Sequence, residues 1–271
     1  MITKKSFISL AFLLIASIAF AQGNFSGVQL KQSAALPQLL VNGKPFLILG
    51  GELGNSTASN INYLNQYWSH LKSMNLNTVL VPVYWELMEP NENKFDFSLV
   101  DNAIAGARKN EMKIIFLWFG SWKNSMSCYA PLWMKTNAKR FPRTFDTAGR
   151  SQEIFSVFGS ATLEADKKAF ATLMKHIRET DAAKKTVIMM QVENEIGMLP
   201  TAREFSKTAN NFFNEKVPPE LINYLQKNKN TLVPEFRAGW EKQGFKLNDT
   251  WRNTFGEGVA TDEIFQAWYY A

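Results

Sequence analysis

Cysteine and histidine are nearly absent from this 271-residue sequence: Cys128 is the sole thiol, and the only histidines, His70 and His176, lie far apart. One cysteine excludes an intrachain disulfide, so the fold must be held by its core. Two separated histidines form no metal-ligand cluster and supply no base beside a serine or cysteine nucleophile. No metal or cofactor is therefore expected. Long apolar runs are scarce too. The one that stands out, Ile8 to Ile18, is shorter than the roughly 20 residues a membrane span needs. It follows Lys4-Lys5 and precedes Ala19-Phe20-Ala21, the charged, apolar and small-x-small succession of a signal peptide over residues 1–21. The mature chain is expected to start at Gln22, secreted or periplasmic, without membrane insertion after cleavage. The residue directly after the cleavage site is Gln22 and not cysteine, which argues against a lipoprotein anchor. Charge of one sign is also in short supply: the net +6 includes Lys4 and Lys5, and the remaining lysines are scattered, as at Lys167-Lys168 and Lys184-Lys185. That is a solvated surface, and no nucleic-acid partner is expected.

Aromatic residues, in contrast, are abundant, with 8 Trp, 7 Tyr and 21 Phe. The order along the chain alternates between two periods. Val41-Asn42-Gly43-Lys44-Pro45 reads as a turn, and Phe46–Leu49 as a strand before Gly50-Gly51-Glu52. Residues 60–74 carry Ile61, Leu64, Trp68, Leu71 and Met74 at helical spacing, with Ser59 or Asn60 as the cap. Thr78–Tyr84 is a second strand, ending in Trp85-Glu86. A helix opened by Asp96 or Ser98 buries Val100, Ala103, Ile104 and Ala107. Lys113–Phe119 is a third strand, leading into Gly120-Ser121-Trp122-Lys123-Asn124. Residues 120–160 form a long connection, of a length usually kept for function. A helix over about 161–180 buries Leu163, Phe170, Leu173, Met174 and Ile177. Later signals are weaker: a helix from Pro218-Pro219 to Leu225, another within Asn230–Gln243, and an aromatic one capped by Thr261 or Asp262. Strands alternating with helices predict an α/β fold with a parallel sheet.

The most informative stretch is 186–197, Thr-Val-Ile-Met-Met-Gln-Val-Glu-Asn-Glu-Ile-Gly. A continuous apolar run reads as a strand buried on both faces. Glu193, Asn194 and Glu195 at its end need an explanation, because buried charge is costly unless paired or used. Catalytic groups of an α/β barrel sit at the carboxyl ends of strands, so this looks like an active-site strand. Alternation in a strand would send Glu193 and Glu195 to one face.

Gln191-Val192-Glu193-Asn194-Glu195-Ile196-Gly197 resembles the active-site strand of glycoside hydrolase family 35, the β-galactosidase family, within the barrel clan of retaining glycosidases. Asn77-Thr78-Val79, then Trp85-Glu86-Leu87-Met88-Glu89-Pro90 and Asp96-Phe97-Ser98, are similar to a second motif of that family, and Val41-Asn42-Gly43-Lys44-Pro45 to its opening. The resemblance implies a (β/α)8 TIM barrel over residues 22–271, incomplete at its C-terminus, and a β-glycosidase acting on an oligo- or polysaccharide with a terminal β-linked sugar. It makes Glu195 the general acid/base and Asn194 the contact to the sugar 2-hydroxyl. Glu193 is either a supporting charge partner of Glu195 or a structural ion pair or hydrogen bond. Trp85, Glu86, Trp122 and Asn124 are candidate sugar contacts, the tryptophans being equally at home in the core. The segment after the third strand departs from family 35 in lacking a sugar-binding carboxylate, which puts the galactose preference in doubt and suggests a divergent family-35-like or a neighbouring family-42-like branch.

The implied nucleophile is a second Glu on the seventh strand, expected beyond residue 271. Glu235, in Pro234-Glu235-Phe236-Arg237-Ala238-Gly239-Trp240, superficially resembles it but follows Glu195 by only 40 residues. Its polar surroundings fit an exposed helix start instead. Two other readings fit the same residues: a non-catalytic carbohydrate-binding barrel, and a cellulase-like hydrolase of the same clan.

Overall fold

The computed structural model describes residues 27–32, 36–199 and 201–271; the segment read as a signal peptide lies outside them. An antiparallel meander opens the described chain, with β1 (Val28–Lys31), β2 (Gln38–Val41) and β3 (Lys44–Pro45) in spatial order. Asn42 and Gly43, both at positive φ (53° and 75°), make the turn between β2 and β3, a conformation that Asn and Gly adopt most readily. The first strand of the main sheet is β4 (Gly50–Glu52), displaced from the expected Phe46–Leu49. The reason lies at Asn77: its side chain accepts from the Leu49 N–H and donates to the Leu47 carbonyl, so the ladder begins only at Gly50 opposite Thr78. Leu47 and Leu49 stay exposed.

Residues 60–74 form two short helices, α1 (Ile61–Asn65) and α2 (Trp68–Ser73), in place of one. Asn60 is the cap, its side chain accepting from the Tyr63 N–H at 3.1 Å. Then follow β5 (Thr78–Tyr84), the short α3 (Trp85–Met88) and α4 (Ser98–Lys109), which buries Val100, Ala103, Ile104 and Ala107 as its spacing predicts. β6 (Lys113–Phe119) comes next. The long connection after it is structured, holding α5 (Leu132–Lys135) and a hairpin of β7 (Arg143–Phe145) and β8 (Ser151–Phe155). α6 (Ser160–Asp181) buries Leu173 and Ile177, but Leu163 and Met174 are exposed; Thr162, Asp166 and Ala169 take the inner positions.

β9 (Val187–Gln191) completes a four-stranded parallel sheet in the order β4-β5-β6-β9. Its members follow one another in the chain with helices between them, and only the β7–β8 hairpin is set aside. The fold is α/β, four successive β/α units of the kind that build a (β/α)8 barrel, with both sheet edges open among the described residues. The main core fills the space between the sheet and its helices, with Val79, Val81, Ile114, Phe116 and Trp118 fully buried. β9 is not buried on both faces as its apolar run predicts. It pairs with β6 alone, and Met189 is exposed. An edge strand covered on one side leaves every second side chain open.

Beyond residue 200 the chain turns helical: α7 (Lys207–Asn214), α8 (Pro219–Lys227), α9 (Pro234–Lys242), α10 (Trp251–Phe255) and α11 (Val259–Tyr270). These five surround their own core of Phe213, Leu221, Ile222, Leu225, Trp240, Trp251 and Phe265. At its edge Arg203 is buried, its guanidinium 3.9 Å from the Phe205 ring centroid and 4.0 Å from that of Phe213. Asp262 accepts from its Nε at 3.0 Å. Thr261 lies one turn into α11, not at its cap; the helix starts at Val259, and the Thr261 hydroxyl donates back to the Gly256 carbonyl.

Candidate active site

Four strands end on one side of the sheet, and the residues after β5, β6 and β9 meet there. The loop after β6 runs alongside the end of β9: the Asn124 N–H donates to the Asn194 carbonyl at 3.1 Å, and the Ser125 N–H to that of Glu195 at 3.2 Å. These bonds extend β6–β9 pairing past the formal ends of both strands, with Lys123 opposite Asn194 in a parallel bridge. The extension is irregular. Glu193 and Glu195 both have φ in the left-handed region (60° and 52°), as do Asn124 and Ser125 (52° and 59°). Non-glycine residues there carry strain, and such strain gathers at functional sites.

The left-handed turns break the alternation that would put the two glutamates on one face. Glu195 is exposed, with Asn194 half-buried beside it and Asn124 exposed next to both. The Lys123 ammonium sits over the Phe119 ring and donates to Asn124 Oδ1 at 2.5 Å. Glu86, after β5, is held by Lys135 of α5 at 3.0 Å, and Lys135 also donates to the Cys128 carbonyl at 2.7 Å. The Glu86 N–H in turn donates to the Tyr129 carbonyl. Lys135 was not among the residues expected from the sequence; a lone lysine in a long loop offers no signal.

Glu193 points the other way. Its Oε2 accepts from the Trp122 N–H at 3.1 Å, and its carboxyl group faces Asp166 of α6 across Gly120. Asp166 is buried and accepts from the Trp118 indole at 2.9 Å and from the Ser121 N–H at 2.7 Å. Burial and the Asp166 charge push the Glu193 carboxyl up to about 10, the two N–H donors opposing them weakly. At neutral pH the Glu193 carboxyl is therefore held protonated. The sequence did not single out Asp166. Its signal was a charged residue on the inward stripe that also holds Ala169 and Leu173.

Gly120 makes this close packing possible. A Cβ there would stand 2.3 Å from Trp118 Nε1, 2.7 Å from Glu193 Oε1 and 2.8 Å from Asp166 Oδ2. The pair lines a cavity of about 340 Å³ walled by Trp118, Trp122, Phe170 and Tyr270. Burial and the nearby Glu193 and Asp166 raise the Tyr270 hydroxyl well above the usual tyrosine range.

Two of the expected sugar contacts are buried. Trp85 has no exposed surface; its indole donates to Glu89 Oε2 at 2.7 Å and packs against Trp118 and Trp133. Trp122 is 2% exposed, its indole bonded to the Phe155 carbonyl and its ring 5.1 Å from that of Tyr270. Large aromatic rings next to strand ends fill the seam between sheet and helices here. Asn124, Asn194 and Glu195 are joined where β6 and β9 end, and Glu86 lies just past the end of β5. Glu235 is exposed in the first turn of α9. No helix among the described residues is long and apolar enough to cross a membrane.

A parallel sheet with polar and acidic residues gathered past its carboxyl ends is the arrangement of a β/α enzyme. The chain belongs to glycoside hydrolase family 42, whose model, described as beta-galactosidase, matches residues 57–260. The family-42 side of the sequence resemblance holds, and the assignment to family 35 is not supported. Three solved structures are similar. One is a catalytic mutant of Gan42B, a GH42 beta-galactosidase from G. stearothermophilus (18% identity, TM-score 0.47, 78% of this chain and 28% of that one). A second is an exo-beta-1,4-mannosidase from Opitutaceae bacterium strain TAV5 (16%, TM-score 0.44, 65% and 28%). The third is a beta-galactosidase from the psychrophilic Marinomonas ef1 (15%, TM-score 0.45, 72% and 27%). The chain thus spans less than a third of each of these proteins. No curated protein sequence matches it.

Proposed function

We propose that this chain carries the acid/base half of a retaining β-glycosidase site, with Glu195 as general acid/base and a terminal β-linked sugar, galactose first, as substrate. The observation that supports it best is the position of Asn194-Glu195, past the end of a parallel strand inside the region matched by family 42. Retaining hydrolysis needs two carboxyl groups about 5–5.5 Å apart. One protonates the leaving oxygen and later deprotonates water; the other attacks the anomeric carbon and leaves as water takes its place. Glu195 fits the first role because it is exposed at the strand end, where leaving group and water arrive. Asn194 fits the contact to the 2-hydroxyl, with Asn124 bonded to its carbonyl; Glu86, past the end of β5, is the further candidate contact. The attacking carboxylate is assigned to no residue of this chain. Export through residues 1–21, to the periplasm or medium, belongs to the same proposal.

With no attacking carboxylate assigned, the chain alone is expected to bind galactose, measured by calorimetry, without hydrolysing phenyl β-galactoside. Added azide, attacking the anomeric carbon in place of that carboxylate while Glu195 protonates the departing phenol, should give galactosyl azide and phenol. Glu195→Gln should abolish this azide-dependent release and leave galactose binding within about threefold, as expected when a proton-transfer group is removed without changing shape. Azide-dependent release that survives Glu195→Gln refutes the assignment. Saturable binding with no azide-dependent release would instead favour a non-catalytic carbohydrate-binding barrel.

A further inference from the structure

Glu193 and Asp166 are two carboxyl groups brought together over Gly120, turned away from the exposed Glu195. Both are nevertheless bonded to the backbone that sets the site. Asp166 holds the Ser121 N–H, Glu193 holds the Trp122 N–H, and three residues on the same loop bonds to Asn194 and Glu195. Glu193 adopts its left-handed conformation with its side chain turned inward, and Glu195 follows two residues later in the same conformation, turned outward. Asp166 comes from α6, Ser121 and Trp122 from the end of β6, and Glu193 from the end of β9, so one hydrogen-bonded cluster joins all three elements.

We propose that the Asp166–Glu193 pair, bridged by a single shared proton, is a positioning device that locks the left-handed end of β9 and so aims Asn194 and Glu195. This rests on the glycosidase reading for what is aimed, and on geometry alone for the lock. With the proton present the contact is a hydrogen bond between an acid and a carboxylate, which is stronger than a neutral one. Without it two anions face each other in a site closed by Trp118 and Trp122, and the contact becomes repulsive. The other titratable groups on this cavity are Lys167 of α6, whose ammonium reaches Glu164, and Tyr269 and Tyr270 of α11. None of the three is hydrogen-bonded to either carboxyl group. Lys123 on the adjoining turn is engaged by Asn124. Glutamine at 193 should imitate the protonated form, whereas alanine removes the bridge.

Two measurements on the intact chain test the lock without recourse to turnover, so failure of the glycosidase reading would not be confused with failure here. Infrared difference spectra at neutral pH should show a protonated-carboxyl C=O band lost in Glu193→Gln, and Asp166→Asn should lower the pH at which that band titrates away. Hydrogen exchange of the Asn124 and Ser125 amides, corrected for intrinsic rates, should be faster by about tenfold in Glu193→Ala and restored to within about twofold by Glu193→Gln. A band untouched by Glu193→Gln overturns the shared proton. Glutamine exchanging as fast as alanine, or alanine exchanging like the unaltered chain, overturns the positioning role. If the alanine variant does not fold, the pH dependence of the same two amides in the unaltered chain decides: exchange beyond the intrinsic increase should set in as Glu193 ionises, and its absence refutes the lock.

Discussion

Replacing Gly120 by alanine adds one methyl group where three atoms already crowd. The nearest, Trp118 Nε1 at 2.3 Å, belongs to an indole with no exposed surface, pinned by its bond to Asp166 and packed against Trp85 and Phe170. It cannot swing away as the tip of a surface side chain would. Forcing a methyl group into a packed interior costs about 1–3 kcal/mol. Displacing the indole from a charged acceptor adds about 1.5–3 kcal/mol. Against this, alanine restricts the unfolded chain and returns about 0.4–1 kcal/mol. The net expectation is a loss of roughly 2–5 kcal/mol, read as a fall in the urea midpoint at unchanged slope. Gly239→Ala is the matched control: it lies inside α9 with nothing within 4 Å of the added carbon. It should stabilise by about 0.5–1 kcal/mol. A loss below about 1 kcal/mol for Gly120→Ala would refute the argument that the carboxyl pair and Trp118 are held rigidly against that backbone.

Other substitutions probe the same physics elsewhere. Gly106→Ala in α4 would bring a Cβ to 2.3 Å from Trp68 Nε1 and 2.5 Å from Cε2, and should cost about 1–3 kcal/mol in a urea titration. Asp181 is buried and accepts from Arg108 at 2.5 Å and from the Val187 N–H at 2.8 Å. Because Arg108 is partly in water, Asp181→Ala should cost about 2–4 kcal/mol, under the usual loss for a broken buried pair. Arg203→Lys keeps the charge but loses the planar fork stacked between Phe205 and Phe213; the thermal midpoint should fall by an amount equivalent to about 1–2 kcal/mol. The folded chain keeps the Glu193 proton up to about pH 10, whereas the unfolded chain releases it near 4.5. The stabilisation from this group is thus complete below 4.5 and declines as pH rises through that window. Urea midpoints of Glu193→Gln and the unaltered chain should diverge with rising pH in favour of glutamine; parallel profiles would contradict it.

β5, β6 and α4 were legible because burial leaves a direct imprint on sequence. Unbroken Val, Ile and Phe runs mark strands covered on both faces, and Val100, Ala103, Ile104 and Ala107 mark the inward stripe of α4. β9 carried the same imprint but is an edge among the described residues, and a run of apolar letters does not say how many neighbours a strand has. β4 was misplaced because a single side chain, Asn77, occupies the backbone groups that Leu47 and Leu49 would have used for pairing. The Asn194–Glu195 part of the site could be located from the strand end, but not the divergence of the glutamates. That depends on left-handed φ values at Glu193 and Glu195, which no spacing rule conveys. Asp166 was hidden for a related reason: its partners come from β6 and β9, dozens of residues away, and its own surroundings read as an ordinary helix.

The described residues form two separate apolar interiors, one under the sheet and one among the five C-terminal helices, and a small third cluster of Trp122, Ile154, Met198 and Tyr270. Units with their own interiors open with their own free energies. If the helical unit loosens first, the Trp122–Tyr270 contact parts and the cavity beside Glu193 opens wider to water while the sheet stays closed. The dielectric around the shared proton is then governed by a group of helices that bears none of the residues assigned to catalysis. Mutations in α10 or α11, remote from every strand end, would alter how tightly that proton is held.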